Sequence, residues 1–391
     1  MTRNTWSVPD TEVVDQIEQR LDGESADVLA TIVRVEGNAY RRPGAKSLLS
    51  TDGTGVGSIT AGCLEDDLLR TAESVRETGR PELVTYDLME DEEDVWGLGV
   101  GCNGIIDVLL EPLSETFRPA IEAFDDGRDV AICTVLATDS DSALSLGDRA
   151  YYHPDDDRLA TPTDEPASTW PASNLVGPAA ELTTRGNASV IDVEHEESTI
   201  SIFVDGLTPP DELVIFGSGH DVGPVTDLAA KNGFRVTVVG FRGAVDLSDR
   251  FPDADRTLQT SPARVAEAVD LGARTYAVVM THNFLDDRLT IETLLDADIP
   301  YVGLMGPSER FEEMLEAFEA DGRPVDAEDL DTLYTPVGLD LGDGSPYGIA
   351  HSIVAEVVAV ANDRTPGHLR DRAGHIHERV NILASDETGS S

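Results

Sequence analysis

The strongest constraint on the fold is the stretch 213–240, LVIFGSGHDVGPVTDLAAKNGFRVTVVG. It reads as strand, glycine turn, helix and second strand. Gly217, Gly219 and Gly223 form GxGxxxG, one residue longer than the usual dinucleotide fingerprint. Glycines allow a tight turn and close backbone approach. The helix that follows offers unpaired N–H groups and a positive dipole end to a phosphate. Apolar runs of strand length recur at 213–216, 234–239, 276–280 and 301–304, with helical segments between them. That alternation predicts a parallel sheet with helices on both faces. A closing helix carries Ile349, Ile353, Val354, Val357, Val358 and Ala361 on one face, with Ser345 as N-cap and Pro346 as its first residue. Residues 207–362 therefore read as a Rossmann-like C-terminal domain.

Cofactor binding by this domain is a separate matter. The fingerprint calls for an acid at the end of the second strand to hold the ribose hydroxyls. That place holds Gly240, followed by Phe241 and Arg242, and Asp246 comes late. Standard NAD recognition lacks its acid; Arg242 could meet a 2′-phosphate instead. His220, in the glycine turn, and His282, after YAVVMTH, could line the crevice at the carboxyl ends of the strands. An NAD(P)-dependent oxidoreductase is the alternative reading, although no hydride-transfer apparatus stands out.

Upstream, the paired prolines of GLTPP at 206–210 mark a domain boundary. Residues 1–206 read as a mixed α/β domain, with strands at 27–35, 55–59, 105–110, 130–136, 188–193 and 199–204. A helix carries Leu64, Leu68, Ala72 and Val75. Residues 153–173 read as a loop or linker and 363–391 as a polar tail. No internal repeat is visible.

Charge narrows the function. Of 391 residues, 75 are Asp or Glu and 28 are Lys or Arg, a formal net charge of −47. Such a surface repels nucleic-acid backbones and anionic membranes. There is no run long and apolar enough for a transmembrane helix, and no signal peptide is read at the start. Three cysteines make no disulfide framework, so a reduced, cytoplasmic protein is expected. The acids are spread along the chain, as in proteins that work in concentrated salt, where self-repulsion is screened.

Against that background, Arg34, Arg41, Arg42 and Lys46 form a basic island in RVEGNAYRRPGAK. It suits capture of a phosphate or other anion, or ion pairing with local acids such as Glu36. Cys63 follows Gly62 in SITAGCLEDD, at a strand–helix junction where a thiol can be activated. Cys102 follows Gly101 in GLGVGCNG, a nearly bare backbone suited to a bulky anionic ligand. Cys133 falls in an apolar strand and reads as core. Cys63 and Cys102 have neither CxxC spacing nor a nearby His, so structural zinc is disfavoured, and the HxH of His375 and His377 lies in the tail.

Together these motifs resemble the XdhC/CoxI family, the maturation factors of xanthine and carbon monoxide dehydrogenases. The resemblance runs over about residues 27–362, through VEGNAYRRPGAK, GSITAGCLE, GLGVGCNGIIDVLLEPL, LVIFGSGHD, FPDAD, MTHNFLDD, PYVGLMG and PVGLDLG. It implies a chaperone of the molybdenum cofactor (molybdopterin) rather than a turnover enzyme. Such a protein keeps the cofactor while its terminal sulfur is installed and passes it to the apo-enzyme of a molybdenum hydroxylase. A cysteine desulfurase is an implied partner, and homo-oligomerisation is left open. Arg41, Arg42 and Lys46 would hold phosphate. Cys63 or Cys102 would contact molybdenum or a sulfur in transit. Gly62, Gly101, Gly217, Gly219 and Gly223, with His220, would border the ligand. One departure stands out: the family usually has an Asp where this chain has Gly240.

Overall fold

The computed structural model describes residues 5–23, 26–88, 104–139, 142–195, 198–243, 246–325 and 330–371. The chain divides between Pro209 and Pro210 into two compact units.

The first unit begins with helix α1 (Asp10–Leu21) and strands β1 (Val28–Gly37), β2 (Lys46–Leu49) and β3 (Gly55–Val56). Helix α2 (Glu65–Thr78) and strands β4 (Glu82–Asp87) and β5 (Gly104–Pro112) complete an antiparallel sheet ordered β3-β2-β1-β5-β4. The same succession then recurs. Helix α3 (Arg118–Asp125) leads to β6 (Val130–Thr138), β7 (Arg149–His153) and β8 (Arg158–Ala160). Helix α4 (Ala172–Thr184), β9 (Ala188–His195) and β10 (Ser198–Leu207) close a second sheet ordered β8-β7-β6-β10-β9.

The unit is thus a structural duplication, which the sequence pattern does not reveal. Its register makes the equivalences explicit. Thr31 pairs with Lys46 as Thr134 pairs with Arg149. Leu29 pairs with Glu111 as Ile132 pairs with Asp205. Each central strand carries a bulge at the matching point, after Ile32 in β1 and after Val135 in β6. Gly44 (φ 95°) and Gly147 (φ 88°) make the same left-handed turn and donate to Ile32 and Val135 carbonyls, both at 2.9 Å. Leu68, Ala72 and Val75 of α2 are buried, as are Leu175, Ala179 and Leu182 of α4. Little but apolar spacing is shared between the halves, and apolar spacing alone does not announce a repeat. Arg158–Ala160 pairs with Arg149–His153 inside the stretch expected to be a loop, so a strand interrupts it.

The second unit is the expected mixture of parallel strands and helices. Its strands are β11 (Glu212–Phe216), β12 (Arg235–Gly240), β13 (Arg256–Gln259), β14 (Thr275–Val279), β15 (Tyr301–Leu304) and β16 (Leu333–Tyr334), all paired in parallel. The order is β13-β12-β11-β14-β15-β16. Counted within the unit this is 3-2-1-4-5-6, the doubly wound Rossmann order. Alternation along β11 explains the two layers. Leu213 and Ile215 face the core containing Val222, Val225 and Ile353, contributed by α5 (Val222–Lys231) and α10 (Pro346–Ala361). Val214 and Phe216 face the opposite core with Ile291 and Met314, from α8 (Phe284–Leu295) and α9 (Ser308–Ala320), with the short α6 (Leu247–Arg250) and α7 (Val265–Ala268) between the earlier strands. Ser345 caps α10 through a 3.1 Å bond from the Gly348 N–H, with Pro346 at the first position, as the sequence required.

Candidate functional site

In the first unit the basic island does not stay together. The Arg41 guanidinium pairs with Asp10 at 2.5 Å. Arg34 lies 3.8 Å from Asp107, not against Glu36. Lys46, only 11% exposed, is held by the Asp205 carboxylate and donates to the Gly44 carbonyl at 3.0 Å. Arg42 is exposed, and no ion pair reaches it among the described residues.

The duplication explains Lys46. Its equivalent, Arg149, makes a bidentate pair with Glu111, the equivalent of Asp205, at 2.7 Å to each oxygen. Arg149 also lies over the Phe117 ring at 3.7 Å. Each half therefore supplies the cation for the other half's anion. Val33, Leu109, Leu136 and Phe203 pack alongside as a matched apolar quartet. Charges this deep are tolerated only when paired and hydrogen-bonded. The lysine that stood out in the sequence is half of a reciprocal seam.

Cys63 is placed differently. The strands run so that Gly37, Asp87 and Gly104 share one end of the first sheet, where the Leu88 N–H donates to the Gly104 carbonyl at 2.9 Å. Strand β3 is directed toward that end, and Cys63, just before α2, packs on the same core as Val35, Tyr86 and Leu88. Thr60 Oγ1 accepts from the Cys63 N–H at 3.3 Å, and Glu65 reaches back to the Leu64 N–H at 3.0 Å. Those bonds satisfy the helix start without using the thiol. Cys63 is half-buried against the core formed by Ile59, Leu64, Leu68 and Tyr86. Gly62 beside it has φ 114° and, among the described residues, nothing within 4 Å of where a Cβ would stand, so the backbone there is bare. Cys102 and Gly101 lie outside the described residues, as do His375 and His377.

Cys133 sits at 0% exposure in β6, and burial pushes its thiol up to about 12. In a Cys102→Ser chain, a thiol reagent at about pH 8 is expected to titrate Cys63 in the native state and Cys133 only in denaturant, because only an accessible thiolate reacts. Absorbance counting of released reagent checks this; immediate reaction of both thiols would contradict it.

In the second unit the glycine turn follows β11. A Cβ on Gly217 would stand 2.7 Å from the Met280 carbonyl oxygen, so this glycine lets the ends of β11 and β14 approach. At Gly219 a Cβ would meet Asp221 Oδ1 at 2.3 Å, so this glycine admits the Asp221 carboxylate. A Cβ on Gly223, in the first turn of α5, would meet nothing within 4 Å among the described residues. His220 is exposed. His282 Nε2 lies 2.7 Å from Asp221 Oδ2 and joins the turns after β11 and β14, the point where strand order reverses. Its backbone is left-handed, φ 59°, an uncommon state for a non-glycine residue. Asp221 closes the motif LVIFGSGHD and His282 lies in MTHNFLDD, but neither motif says that the two side chains meet until the fold brings them together. Below, Asp287 is 1% exposed and is held by Arg310 at 2.5 Å and the Thr281 hydroxyl at 2.5 Å. No three His, Cys, Asp or Glu side chains cluster as a metal site among the described residues.

Comparison with known proteins places these features. Residues 21–87 match the XdhC and CoxI family and residues 213–357 the XdhC Rossmann domain. A curated relative from Bacillus subtilis (strain 168), a probable subunit of xanthine dehydrogenase, is 29% identical over 88% of this chain and 95% of its own length. An uncharacterized protein, YqeB, of Escherichia coli (strain K12) is 28% identical over 49% of this chain and 35% of its own. The crystal structure of a xanthine dehydrogenase from Bacillus halodurans aligns with TM-score 0.72 and 30% identity, over 91% of this chain and 96% of that one.

Proposed function

The chain belongs to the XdhC and CoxI family, and from that premise we propose that it is an accessory protein of a molybdenum hydroxylase of the xanthine or carbon monoxide dehydrogenase type. In this reading it binds the molybdenum cofactor in the cytoplasm, supports sulfuration by a cysteine desulfurase, and delivers the cofactor to the apo-hydroxylase. When bound, the cofactor supplies a molybdenum centre whose terminal sulfur the hydroxylase needs.

The observation that carries the reading is the half-buried Cys63 thiol beside the bare backbone of Gly62. A thiolate is a soft ligand, suited to molybdenum or to sulfur. Exposed Arg42 offers a guanidinium to an anion. Lys46 does not fit that task as placed, because Asp205 already takes its charge. Deleting the gene should leave the hydroxylase protein present but inactive, and restoring it should recover activity. Hydroxylase that stays fully active without the chain would contradict the proposal. A stoichiometric complex that survives purification with active hydroxylase would make the chain part of the enzyme instead.

The acidic shell fits work in concentrated salt. Raising KCl from about 0.1 M to about 3 M shortens the Debye length from about 10 Å to below about 3 Å. Tm is therefore expected to rise by at least about 10 °C as repulsion within the −47 charge is screened. A melting temperature that does not move with salt would contradict this.

A further inference from the structure

In a 3-2-1-4-5-6 sheet, the end of the second strand reads the ribose of a bound dinucleotide. A carboxylate there takes the 2′-hydroxyl, whereas a nearby arginine takes a 2′-phosphate. Here that strand, β12, ends at Gly240, which has no side chain to offer. The next acid along the chain does not substitute for a carboxylate there. Asp246 Oδ1 accepts from the Ser248 N–H at 3.0 Å, the Ser248 hydroxyl at 2.7 Å and the Asp249 N–H at 3.3 Å. Asp246 is the N-cap of its own helix, α6.

Two arginines stand on the same segment. The Arg242 side chain is 68% exposed and is paired only loosely, with Asp286 at 3.5 Å. Arg250 donates to the Ser218 carbonyl at 2.7 Å, which fixes a second guanidinium at the glycine turn. The acid nearest that turn, Asp221, is already committed to His282 at 2.7 Å. Positive charge at the ribose position of so acidic a chain calls for an anionic partner.

We infer that the C-terminal unit binds a nucleotide whose ribose carries a 2′-phosphate, of the NADPH type, with Arg242 as the group that reads the phosphate. The missing acid and the arginine act together: Gly240 removes the residue that would reject the phosphate, and Arg242 supplies the charge that accepts it. This inference concerns the second unit alone and does not depend on the cofactor role of Cys63.

Isothermal titration of the full chain in its stabilising salt tests it, with NADPH, NADH, adenosine 2′,5′-bisphosphate and 5′-AMP as probes. Each 2′-phosphorylated probe should bind roughly tenfold or more tighter than its unphosphorylated counterpart, equivalent to about 1.4 kcal/mol. Arg242→Ala should erase that difference while leaving NADH affinity and the melting temperature unchanged. Gly240→Asp should move the preference toward NADH; the new Cβ would stand 3.0 Å from Cδ1 of the buried Leu247 side chain, which must shift to admit it. Equal affinity within each pair, no binding of any probe at millimolar concentration, or an Arg242→Ala chain that keeps the preference would each overturn the inference.

Discussion

A Cys63→Ala chain is expected to lower the activity of its partner hydroxylase roughly 10- to 100-fold, the range seen when a contact supporting a metal site is lost. The duplication is what makes this sharp. Aligning Leu68, Ala72 and Val75 with Leu175, Ala179 and Leu182 puts Cys63 opposite Trp170. Trp170 is 5% exposed and packs into the second core. The second half thus fills this place with a core residue, while the first half leaves a half-buried thiol beside bare backbone. The halves also differ in what joins their last strands: Asp87 to Gly104 in one, His195 to Ser198 in the other. Both differences set the Cys63 end of the first half apart from its counterpart in the second. Cys133→Ala is the control, since that thiol has no access to any ligand. Hydroxylase activity in a deletion strain, complemented by each variant, measures the effect. Equal activities for the two variants would mean that Cys63 only packs.

The second large effect concerns stability. Glu111→Ala should destabilise the first unit by about 3–5 kcal/mol, because it strands the Arg149 guanidinium without its anion in a closed seam. The Arg149 side chain is 2% exposed and that of Glu111 is 7%, so water cannot take over the pairing. Lys46→Ala should act in the same direction by stranding Asp205. Replacing both Glu111 and Arg149 by leucine should recover most of the loss, since apolar residues of similar volume replace buried pairs well. Trp6, Trp96 and Trp170 are the three tryptophans and all precede residue 209, so their fluorescence during urea unfolding reports the first unit selectively. A Glu111→Ala midpoint equal to that of the parent would remove the seam from the account. A Lys46→Ala chain that is fully stable but has lost its cofactor would restore Lys46 as an anion contact.

The second unit was more legible in the sequence than the first, for physical reasons. Parallel strands are buried on both faces, so β11, β12, β14 and β15 appear as continuous apolar runs with helices between them. The edge strand β13 (RTLQ) has too little apolar content to declare itself, and β16 is only two residues long. In the first unit the central strands β1, β5, β6 and β10 were readable. Strands β2, β4, β7 and β8 are short or open with charged residues, and helices α1, α3 and α4 have no counterpart in the sequence reading. The basic island was a true compositional signal with a divided cause. Lys46 belongs to the seam, Arg41 to Asp10 and Arg34 to Asp107, while Arg42 has no ion pair among the described residues. Reciprocity between Lys46–Asp205 and Arg149–Glu111 joins residues from both halves of a duplication, which no local window contains. The Asp221–His282 pair was hidden for the same reason, since its members follow different strands and meet only where the sheet order reverses.

The most direct test of the central claim is to purify the full chain from a host that makes the molybdenum cofactor and to measure both molybdenum and released oxidised pterin. Molybdenum and pterin in equal amounts, approaching one of each per chain and falling sharply in Cys63→Ala, is the predicted result. A chain that carries neither, from cells whose hydroxylase is fully loaded, would contradict it.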